Sequence, residues 1–338
     1  MRGAVYEATV PAPSLDPLKR LSAEFALADT AERRKMLVIV NPYATTVSDR
    51  LRNLVVHALE SRYDVTAINT QRQGHATELV REAAEEGYDV VVAFGGDGTL
   101  NEAANGLVGT DVPLTHLPGG ATNVFCKMLG IPGEIVDATE HLLRIADDWK
   151  PRQVDLGVMN GRYFTFTAGF GLDATVVKAV DLRPARKHRF GAPYFAWSAV
   201  RTFLGRYLVR PPMVETARAD GTTTRGINLL VQNGDPLTYF RTVPLHVAED
   251  VTLESGTLSG VMLNRATAVD LPPMVARLFS KRLRVLDHRQ VESLPGLTAL
   301  RAWSADGNPV PLQCDGDWVG DVTEVEFSVA PRALTVVA

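Results

Sequence analysis

The chain has 338 residues, of which 46% are hydrophobic and 22% charged. Its length favours two domains, each with its own core, over a single domain. Its composition is typical of a globular protein in water. A formal net charge of −4 argues against a dedicated nucleic-acid-binding protein. Cys126 and Cys314 have no metal-ligand spacing, and no stretch approaches the ~18 apolar residues of a membrane span. We therefore expect a cytoplasmic protein with no nucleic-acid partner.

Strands and helices alternate over residues 36–150, which follow an N-terminal extension, 1–35, with an amphipathic helix predicted over 14–27. We predict strands at 36–40, 65–68, 90–95 and 114–117, and helices over 48–61 and 76–86. This βαβ spacing predicts a parallel sheet with helices on both faces. Ligands of such sheets bind at the carboxyl ends of the strands.

Three polar turns stand at those strand ends, in residues 41–45, 95–99 and 118–123. The middle turn joins a buried strand to a helix through Gly95, Gly96 and Gly98, which surround Asp97. Glycines let backbone N–H groups approach a polyphosphate, and the following helix directs its positive end to the same place. A carboxylate there needs a divalent cation or a proton donor, so the pattern favours phosphoryl transfer.

An ordinary structural interpretation of the same turn exists. Thr99 and Glu102 have the spacing of a capping box, and an aspartate in a Gly-rich turn is common turn chemistry. Convergence of the three polar turns at one edge of the sheet would distinguish a ligand site from this alternative.

The second half of the chain, 151–338, has a different pattern. Short runs rich in Val, Thr, Phe and Tyr recur at 154–158, 163–168, 226–232, 257–263, 324–329 and 334–337, separated by Gly, Asn and Asp. They predict an antiparallel sandwich or barrel, interrupted by a helix over about 192–209.

The segment 183–210 mixes arginines with aromatic and aliphatic residues, and a second basic stretch covers 277–289. Basic and aromatic residues together are typical of contact with an anionic membrane surface. The alternative, held with equal weight, is a core helix with a solvated charged flank.

Six motifs occur in a fixed order along the chain: Asn41-Pro42; Thr70 with Gly74-His75-Ala76; the segment 95–102; Pro118-Gly119-Gly120-Ala121-Thr122-Asn123; the segment 169–174; and Asp315-Gly316-Asp317. In these motifs the chain resembles the diacylglycerol kinase catalytic-domain family, which includes bacterial soluble lipid kinases and the sphingosine and ceramide kinases. The resemblance covers nearly all of residues 36–338.

The resemblance implies an α/β nucleotide-binding domain, similar to those of NAD kinases and phosphofructokinases, followed by an antiparallel β-sandwich. It also implies an ATP- and Mg²⁺-dependent kinase that phosphorylates a hydroxyl of diacylglycerol or a related lipid at the membrane surface. Apart from the resemblance, a homodimer is an option. The ATP-binding residues it implies are Asn41, Pro42, Tyr43, Ala44, Thr45, Thr70, Gly95, Gly96, Asp97, Gly98, Thr99, Leu100, Asn101 and Thr122.

The same resemblance assigns the catalytic carboxylates. Asp97 would organise Mg²⁺ and water at the phosphates, and Asp317 would act as the base toward the lipid hydroxyl. An alcohol does not ionise near neutral pH, so a carboxylate must accept its proton during transfer. The residues expected in the substrate cleft are Glu102, Asn123, Asp173 and Asp315. From the residues alone, the structural alternatives are a hairpin turn at 315–317 and a turn or cap role for Asp173.

Two positions depart from the family pattern. Asp317 stands where the family usually has glutamate, so its carboxylate is one methylene shorter. Ser255 stands where some bacterial members have an aspartate that binds a structural Mg²⁺. Because hydroxyls alone hold Mg²⁺ poorly, we expect that ion to be absent. The alternatives are an NAD kinase-like enzyme, which shares Gly-Gly-Asp-Gly, and a catalytically decayed lipid- or nucleotide-binding relative.

Overall fold

The structure, a computed structural model, describes residues 16–25, 33–208, 211–240, 243–280 and 282–338. The helices are α1 Asp16–Phe25, α2 Asp49–Leu59, α3 His75–Glu85, α4 Asp97–Leu107, α5 Val124–Met128, α6 Ile135–Arg144, α7 Leu172–Asp181, α8 Pro184–Thr202 and α9 Leu271–Leu278. A π-helical turn, Phe203–Tyr207, continues α8, and a short 3₁₀ turn covers Val285–Asp287. The predicted N-terminal helix is present as α1, and the ends of the range 14–27 lie outside the described residues.

The strands of the first half are β1 Lys35–Val40, β2 Asp64–Asn69, β3 Val90–Gly95 and β4 Leu114–Pro118. Those of the second half are β5 Arg152–Met159, β6 Arg162–Phe164, β7 Thr167–Gly171, β8 Val214–Arg218, β9 Thr223–Gly226, β10 Asn228–Gln232, β11 Thr238–Phe240, β12 Val243–Leu245, β13 Leu258–Leu263, β14 Val291–Leu297, β15 Ala299–Ser304, β16 Val310–Cys314, β17 Asp317–Val322 and β18 Glu324–Val336.

The first half is the predicted parallel α/β sheet, in the order β2-β1-β3-β4. β3 is buried along its whole length, as expected of a central parallel strand covered on both faces. Ser48 caps α2 by accepting a hydrogen bond from the Leu51 N–H at 3.2 Å, and the apolar face of α2 packs into the core. Leu18 and Leu21 of α1 are buried in the same core, against α2 and α6.

The second half is the predicted antiparallel sandwich. One layer has the order β14-β13-β10-β7-β16-β17, and the other contains β9, β8, β15, β18, β5 and β6. The core between them takes Phe170 and Leu229 from the first layer and Phe164, Val325 and Phe327 from the second. Alternation of inward apolar and outward polar residues is what two packed sheets require.

β18 connects the two halves. It runs antiparallel to β5 and β15, and Val336 at its end is aligned in parallel with Leu114 of β4. The two predicted runs at 324–329 and 334–337 are therefore one strand, with an irregular register between Ala330 and Leu334. Leu334 and Val336 contribute to the core of the first half, so this core is completed by the end of the chain.

Two other predicted elements differ from those observed. The run at 163–168 is divided between β6 and β7, because the chain passes there from one layer of the sandwich to the other. The helix predicted from about 192 begins earlier, at Pro184, and has a kink at Gly191. Among the described residues, no helix is long and apolar enough to cross a membrane.

Candidate active site

The three polar turns meet at the carboxyl ends of β1, β3 and β4. The Asn41 N–H donates to the Phe94 carbonyl at 2.9 Å, and the Asn41 side-chain amide donates to Thr99 Oγ1 at 3.0 Å. The Gly119 N–H donates to the Gly95 carbonyl at 2.7 Å. The sheet topology thus brings together turns that are far apart in sequence.

Glycine is required where these turns touch. A Cβ on Gly95 would lie 2.6 Å from Thr99 Oγ1, and a Cβ on Gly120 would lie 2.8 Å from the Cα of Gly96. Helix α4 begins at Asp97, and its N-cap, Gly96, provides no side-chain cap. The first backbone N–H groups of α4 therefore have no capping side chain, the condition under which a helix start binds phosphate.

The capping-box interpretation of this turn is wrong. Thr99 lies inside α4, where its hydroxyl accepts the hydrogen bond from Asn41. Glu102 instead accepts hydrogen bonds from the Gly74 N–H at 2.8 Å and the Ala76 N–H at 3.3 Å, so it caps the start of α3. The Glu102 carboxylate joins α4 to α3 and is directed away from Asp97.

Asp97 is the first residue of α4 and is half-buried. Its carboxylate accepts long hydrogen bonds from the Thr122 hydroxyl and from the Phe125 N–H, both at 3.3 Å. Burial raises the pKa of Asp97, while these donors and the nearby Lys127 ammonium act in the opposite direction. The carboxylate is thus held by weak bonds that a cation or a hydrated phosphate can replace.

Asp317 comes from the sandwich and lies against the start of α4. A Cβ on Gly98 would be 2.8 Å from Asp317 Oδ2, so the absence of a side chain at Gly98 makes room for this carboxylate. Asp317 is the first residue of β17 and follows a tight turn in which Asp315 (φ 48°) and Gly316 (φ 86°) are both left-handed. The hairpin turn inferred from residues 315–317 is therefore real, and it places Asp317 beside the Gly-rich loop.

Asp315 is buried at 6% exposure and organises this turn. Its carboxylate accepts hydrogen bonds from the backbone N–H groups of residues 165, 166 and 167 at 2.7–3.0 Å, and from the Thr165 hydroxyl at 2.8 Å. It also accepts a bond from the side-chain amide of Asn101 at 2.8 Å. Asp315 therefore binds the sandwich turn to α4.

Asp173 lies in the first turn of α7. Its Oδ2 accepts a hydrogen bond from Gln313 Nε2 at 3.0 Å, while its Oδ1 is buried and has no hydrogen-bond partner among the described residues. Burial raises the pKa of Asp173 to about 6, against hydrogen bonds that lower it. Gln313 also accepts from the Gly316 N–H at 2.9 Å, so Asp173 is linked to the turn that carries Asp317.

The other predicted nucleotide residues surround the same edge. The Ala44 N–H donates to the Asn41 carbonyl at 3.2 Å, and the Thr70 N–H donates to the Val40 carbonyl at 2.8 Å. Pro42 lines a cavity of about 290 Å³ beside the loop between β1 and α2. Tyr43, at 76% exposure, and Thr45 face outward.

Two predicted residues have mainly structural surroundings. Leu100 is fully buried in the core of the first half. Asn123 has a left-handed backbone (φ 48°), and its side chain exchanges two hydrogen bonds of 2.9 Å with the backbone of Gly120. Asn123 therefore shapes the turn that carries Thr122.

Sequence reasoning missed three residues next to the site. Lys127 lies in α5, near Asp97, with its ammonium 4.2 Å from the centre of the Tyr239 ring. Arg162 donates to Asn101 Oδ1 at 3.3 Å, and Gln313 bridges Asp173 and the 315–317 turn. The position of Lys127 just after the third Gly-rich turn could have indicated a role at the site. Arg162 and Gln313 belong to no sequence pattern that would have indicated one.

The loop at Ser255 is ordered by hydrogen bonds. The Ser255 hydroxyl lies 3.0 Å from the Thr252 carbonyl and 3.1 Å from the Thr257 carbonyl, and the Gly256 N–H donates to the buried Asp155 carboxylate at 2.6 Å. In the described part of the chain, no three His, Cys, Asp or Glu side chains gather as metal ligands. Asp97 does not need such a cluster to bind Mg²⁺, because proteins usually hold this ion with one or two carboxylates together with substrate phosphates.

The chain is similar in part of its sequence to known proteins. Residues 35–158 match the family model of the diacylglycerol kinase catalytic domain. The diacylglycerol kinase of Bacillus subtilis is 38% identical over 117 residues, which are 33% of this chain and 37% of that protein. A Pseudomonas syringae protein called "Probable lipid kinase YegS-like" is 34% identical over 156 residues, which are 45% of this chain and 49% of that protein. These alignments cover half or less of each relative's length.

A solved structure of a diacylglycerol kinase from Bacillus anthracis has a TM-score of 0.66 at 19% identity, over 91% of this chain and 98% of that one. This likeness shows that the fold is shared across both halves. The fold and the Gly-rich loop define a two-domain protein of the α/β and β-sandwich type. The match of residues 35–158 to the diacylglycerol kinase catalytic domain confirms, for that part of the chain, the resemblance inferred from the motifs.

Proposed function

We propose that the protein is a lipid kinase that transfers the γ-phosphoryl group of ATP to a hydroxyl of diacylglycerol or a related lipid. The observation that carries the proposal is the meeting of Asp97 and Asp317 at the first turn of α4. One carboxylate belongs to the α/β sheet and the other to the sandwich. A nucleotide bound to the first domain and a lipid bound to the second would therefore react between them.

The Gly-rich turns and the start of α4 would bind the phosphates of ATP, because their backbones approach each other without side chains between them. Bound with ATP, Mg²⁺ would spread the negative charge of the transferring phosphoryl group. Asp97 would hold the ion through water or phosphate oxygens, replacing its weak bonds to Thr122 and Phe125.

Asp317 would accept the proton of the lipid hydroxyl as the new phosphorus–oxygen bond forms. Its carboxylate is one methylene shorter than a glutamate, yet Oδ2 already lies against Gly98. The turn at Asp315 and Gly316 has left-handed backbone, and the side chains of Asp315 and Gln313 hold it by hydrogen bonds. The turn thereby keeps Asp317 beside Gly98. A short base in a rigid turn can reach a hydroxyl presented at α4.

Turnover of labelled ATP with a panel of lipids tests the proposal. We expect Asp97→Asn and Asp317→Asn each to lower kcat by about 10²-fold or more, with ATP affinity within a few-fold for Asp317→Asn. Asp317→Glu, which restores the family residue, is the matched variant and should retain turnover. Phosphorylation of NAD in place of lipid would favour the NAD kinase alternative. Undiminished turnover in folded Asp97→Asn or Asp317→Asn would refute the assigned role.

We further propose that the protein contacts the membrane peripherally through α8 and the π-helical turn. Phe195, Trp197, Val200 and Leu204 are between 43% and 51% exposed, whereas Phe203 is 3% exposed. The segment thus has a packed face, which fits a core helix, and an exposed apolar face, which supports the proposed membrane contact. Lys187, His188, Arg189 and Arg210, whose side chains belong to the predicted basic patch, lie outside what the structure describes.

The second basic stretch, 277–289, is a weaker candidate for membrane contact. Arg284 forms ion pairs with Glu249 and Asp287, and Arg289 forms one with Asp270. Two of its arginines are therefore neutralised within the protein. The exposed face of α8 is the surface on which the proposal rests.

A further inference from the structure

A cavity of about 260 Å³ lies between α7 and the end of α8, outside the site described above. Its lining includes the guanidinium-bearing residues Arg183, Arg201 and Arg206, together with Thr175 and Ser198. Ser198 is only 3% exposed. Cations and hydroxyls, without any carboxylate in the lining, are the groups that bind an oxyanion.

The cations of this cavity are not neutralised by the protein. Among the residues that the structure describes, neither Arg201 nor Arg206 forms an ion pair, and Arg183 donates only to the Ala179 carbonyl, at 3.4 Å. The sequence contains no acidic residue between Asp181 and Glu215. Three arginines around one cavity repel each other unless an anion lies among them. A phosphate ester matches the planar fork of the guanidinium groups.

The surroundings of the cavity favour a lipid phosphate over a soluble one. Trp197 belongs to the lining and is 50% exposed, and Val200 and Leu204, on the neighbouring face of the same helix, are 49% and 51% exposed. A ligand with an anionic head and apolar chains would place its head among the arginines and its chains along this exposed face. A bilayer surface presents this combination of groups.

Helix α7 connects the cavity to the candidate active site. The Thr175 hydroxyl is 2.7 Å from the Tyr207 hydroxyl, which ties α7 to the π-helical turn. Thr175 lies one half-turn after Asp173 on α7. A head group bound here would therefore hold at the bilayer the helix whose first turn carries Asp173.

We propose that this cavity binds the phosphate head group of an anionic phospholipid and so retains the kinase on anionic membranes. The proposal deepens the proposed lipid kinase function, on which it rests for the presence of a bilayer substrate. It assigns to Arg183, Arg201 and Arg206 a site separate from the ATP and acceptor sites.

Two kinds of variant separate a built site from general charge attraction. Arg201→Gln with Arg206→Gln removes two cations. Gly205→Gln adds a bulky side chain to the lining at constant charge, and it can be accommodated because a Cβ there would meet no atom within 4 Å. Gly205→Ala is its small-residue control. Arg20→Gln with Arg81→Gln, on exposed faces of α1 and α3, is the charge-matched control.

The assay is sedimentation with phosphatidylcholine vesicles, with and without phosphatidylglycerol, in the absence of ATP. For Arg201→Gln with Arg206→Gln we expect about 25-fold weaker binding to anionic vesicles, about fivefold for each cation, and no change on neutral ones. Gly205→Gln should weaken anionic binding by tenfold or so, although its charge is that of the wild type, while both controls bind normally. Normal anionic binding by Gly205→Gln would overturn the proposal in favour of general attraction.

A second arm distinguishes lipid from free phosphate. Inorganic phosphate should neither displace the wild type from anionic vesicles nor raise its Tm more than it raises that of Gly205→Gln. A rise in Tm specific to the wild type, with vesicle binding unaffected by Gly205→Gln, would assign the cavity to a soluble anion and refute the lipid assignment. Because vesicle binding needs no turnover, a wild type that fails to phosphorylate lipid would count against the proposed function and leave this result standing.

Discussion

Replacing Asp173 by asparagine should stabilise the protein, and more so at high pH than at low pH. The rise in the Asp173 pKa from 3.8 to about 6 costs the ionised form about 3 kcal/mol in the folded state. An asparagine carries no charge and keeps an acceptor for Gln313 Nε2. Its side-chain N–H replaces Oδ1 at a buried position without a hydrogen-bond acceptor. This unpaired donor lowers the gain in unfolding free energy by about 1–2 kcal/mol. The net gain at pH 8 is therefore about 1–2 kcal/mol.

The sign of the pH dependence follows from the proton balance. Between pH 3.8 and about 6, the folded protein holds a proton on Asp173 that the unfolded chain has released. Stability of the wild type therefore falls as the pH rises through this window. The free-energy cost of burying the ionised Asp173 reaches its full value above pH 6, and it is roughly half of that value near pH 5. The advantage of Asp173→Asn should accordingly be largest at pH 8 and nearly absent at pH 5.

Thermal unfolding without nucleotide at pH 5, 6.5 and 8 measures this difference. A gain of about 1–2 kcal/mol corresponds to a few degrees in Tm. Asp64→Asn, at an exposed position of β2, also removes one carboxylate and is the charge-matched control. Equal Tm differences at pH 5 and pH 8, or an Asp173→Asn variant that is less stable at pH 8, would contradict the reasoning. If Asp173 serves the lipid site as predicted, the stabilised variant should also turn over lipid more slowly.

Four further outcomes are expected. Gly98→Ala places a Cβ 2.8 Å from Asp317 Oδ2 and should lower kcat by on the order of 10-fold or more with little change in Tm, because the base is displaced; equal kcat would show that Asp317 is not confined there. Glu102→Ala should cost about 1–2 kcal/mol in unfolding free energy by uncapping α3, with the lipid KM unchanged. Asp315→Ala should cost about 3 kcal/mol or more, because it leaves several buried donors unpaired, and chemical denaturation would measure this loss. Titration with Mg²⁺ alone should leave Tm unchanged, whereas a clear rise would show that the folded protein binds an ion without nucleotide and would contradict the expected absence of a structural Mg²⁺.

Several features of this protein can be predicted from local patterns in its sequence. The strand–helix alternation of residues 36–150 predicts a parallel sheet because the periods of apolar residues are local properties. The Gly-rich turn at 95–99 predicts phosphate binding because only glycine permits close backbone approach. A Cβ on Gly120 would lie only 2.8 Å from the Cα of Gly96. The hairpin at 315–317 likewise follows from residues that accept left-handed backbone.

Tertiary packing alone decided which of the polar residues face one another. Asp317 lies against Gly98 because β17 and α4, distant in the chain, meet where the sandwich joins the α/β sheet. Glu102 belongs to the same motif as Asp97 but caps α3, since residues five positions apart on a helix lie about 140° apart around its axis. The arginines beside α7 form a cavity only because α8 folds back onto α7. Side-chain direction and non-local contact depend on the whole fold, and no local pattern encodes them.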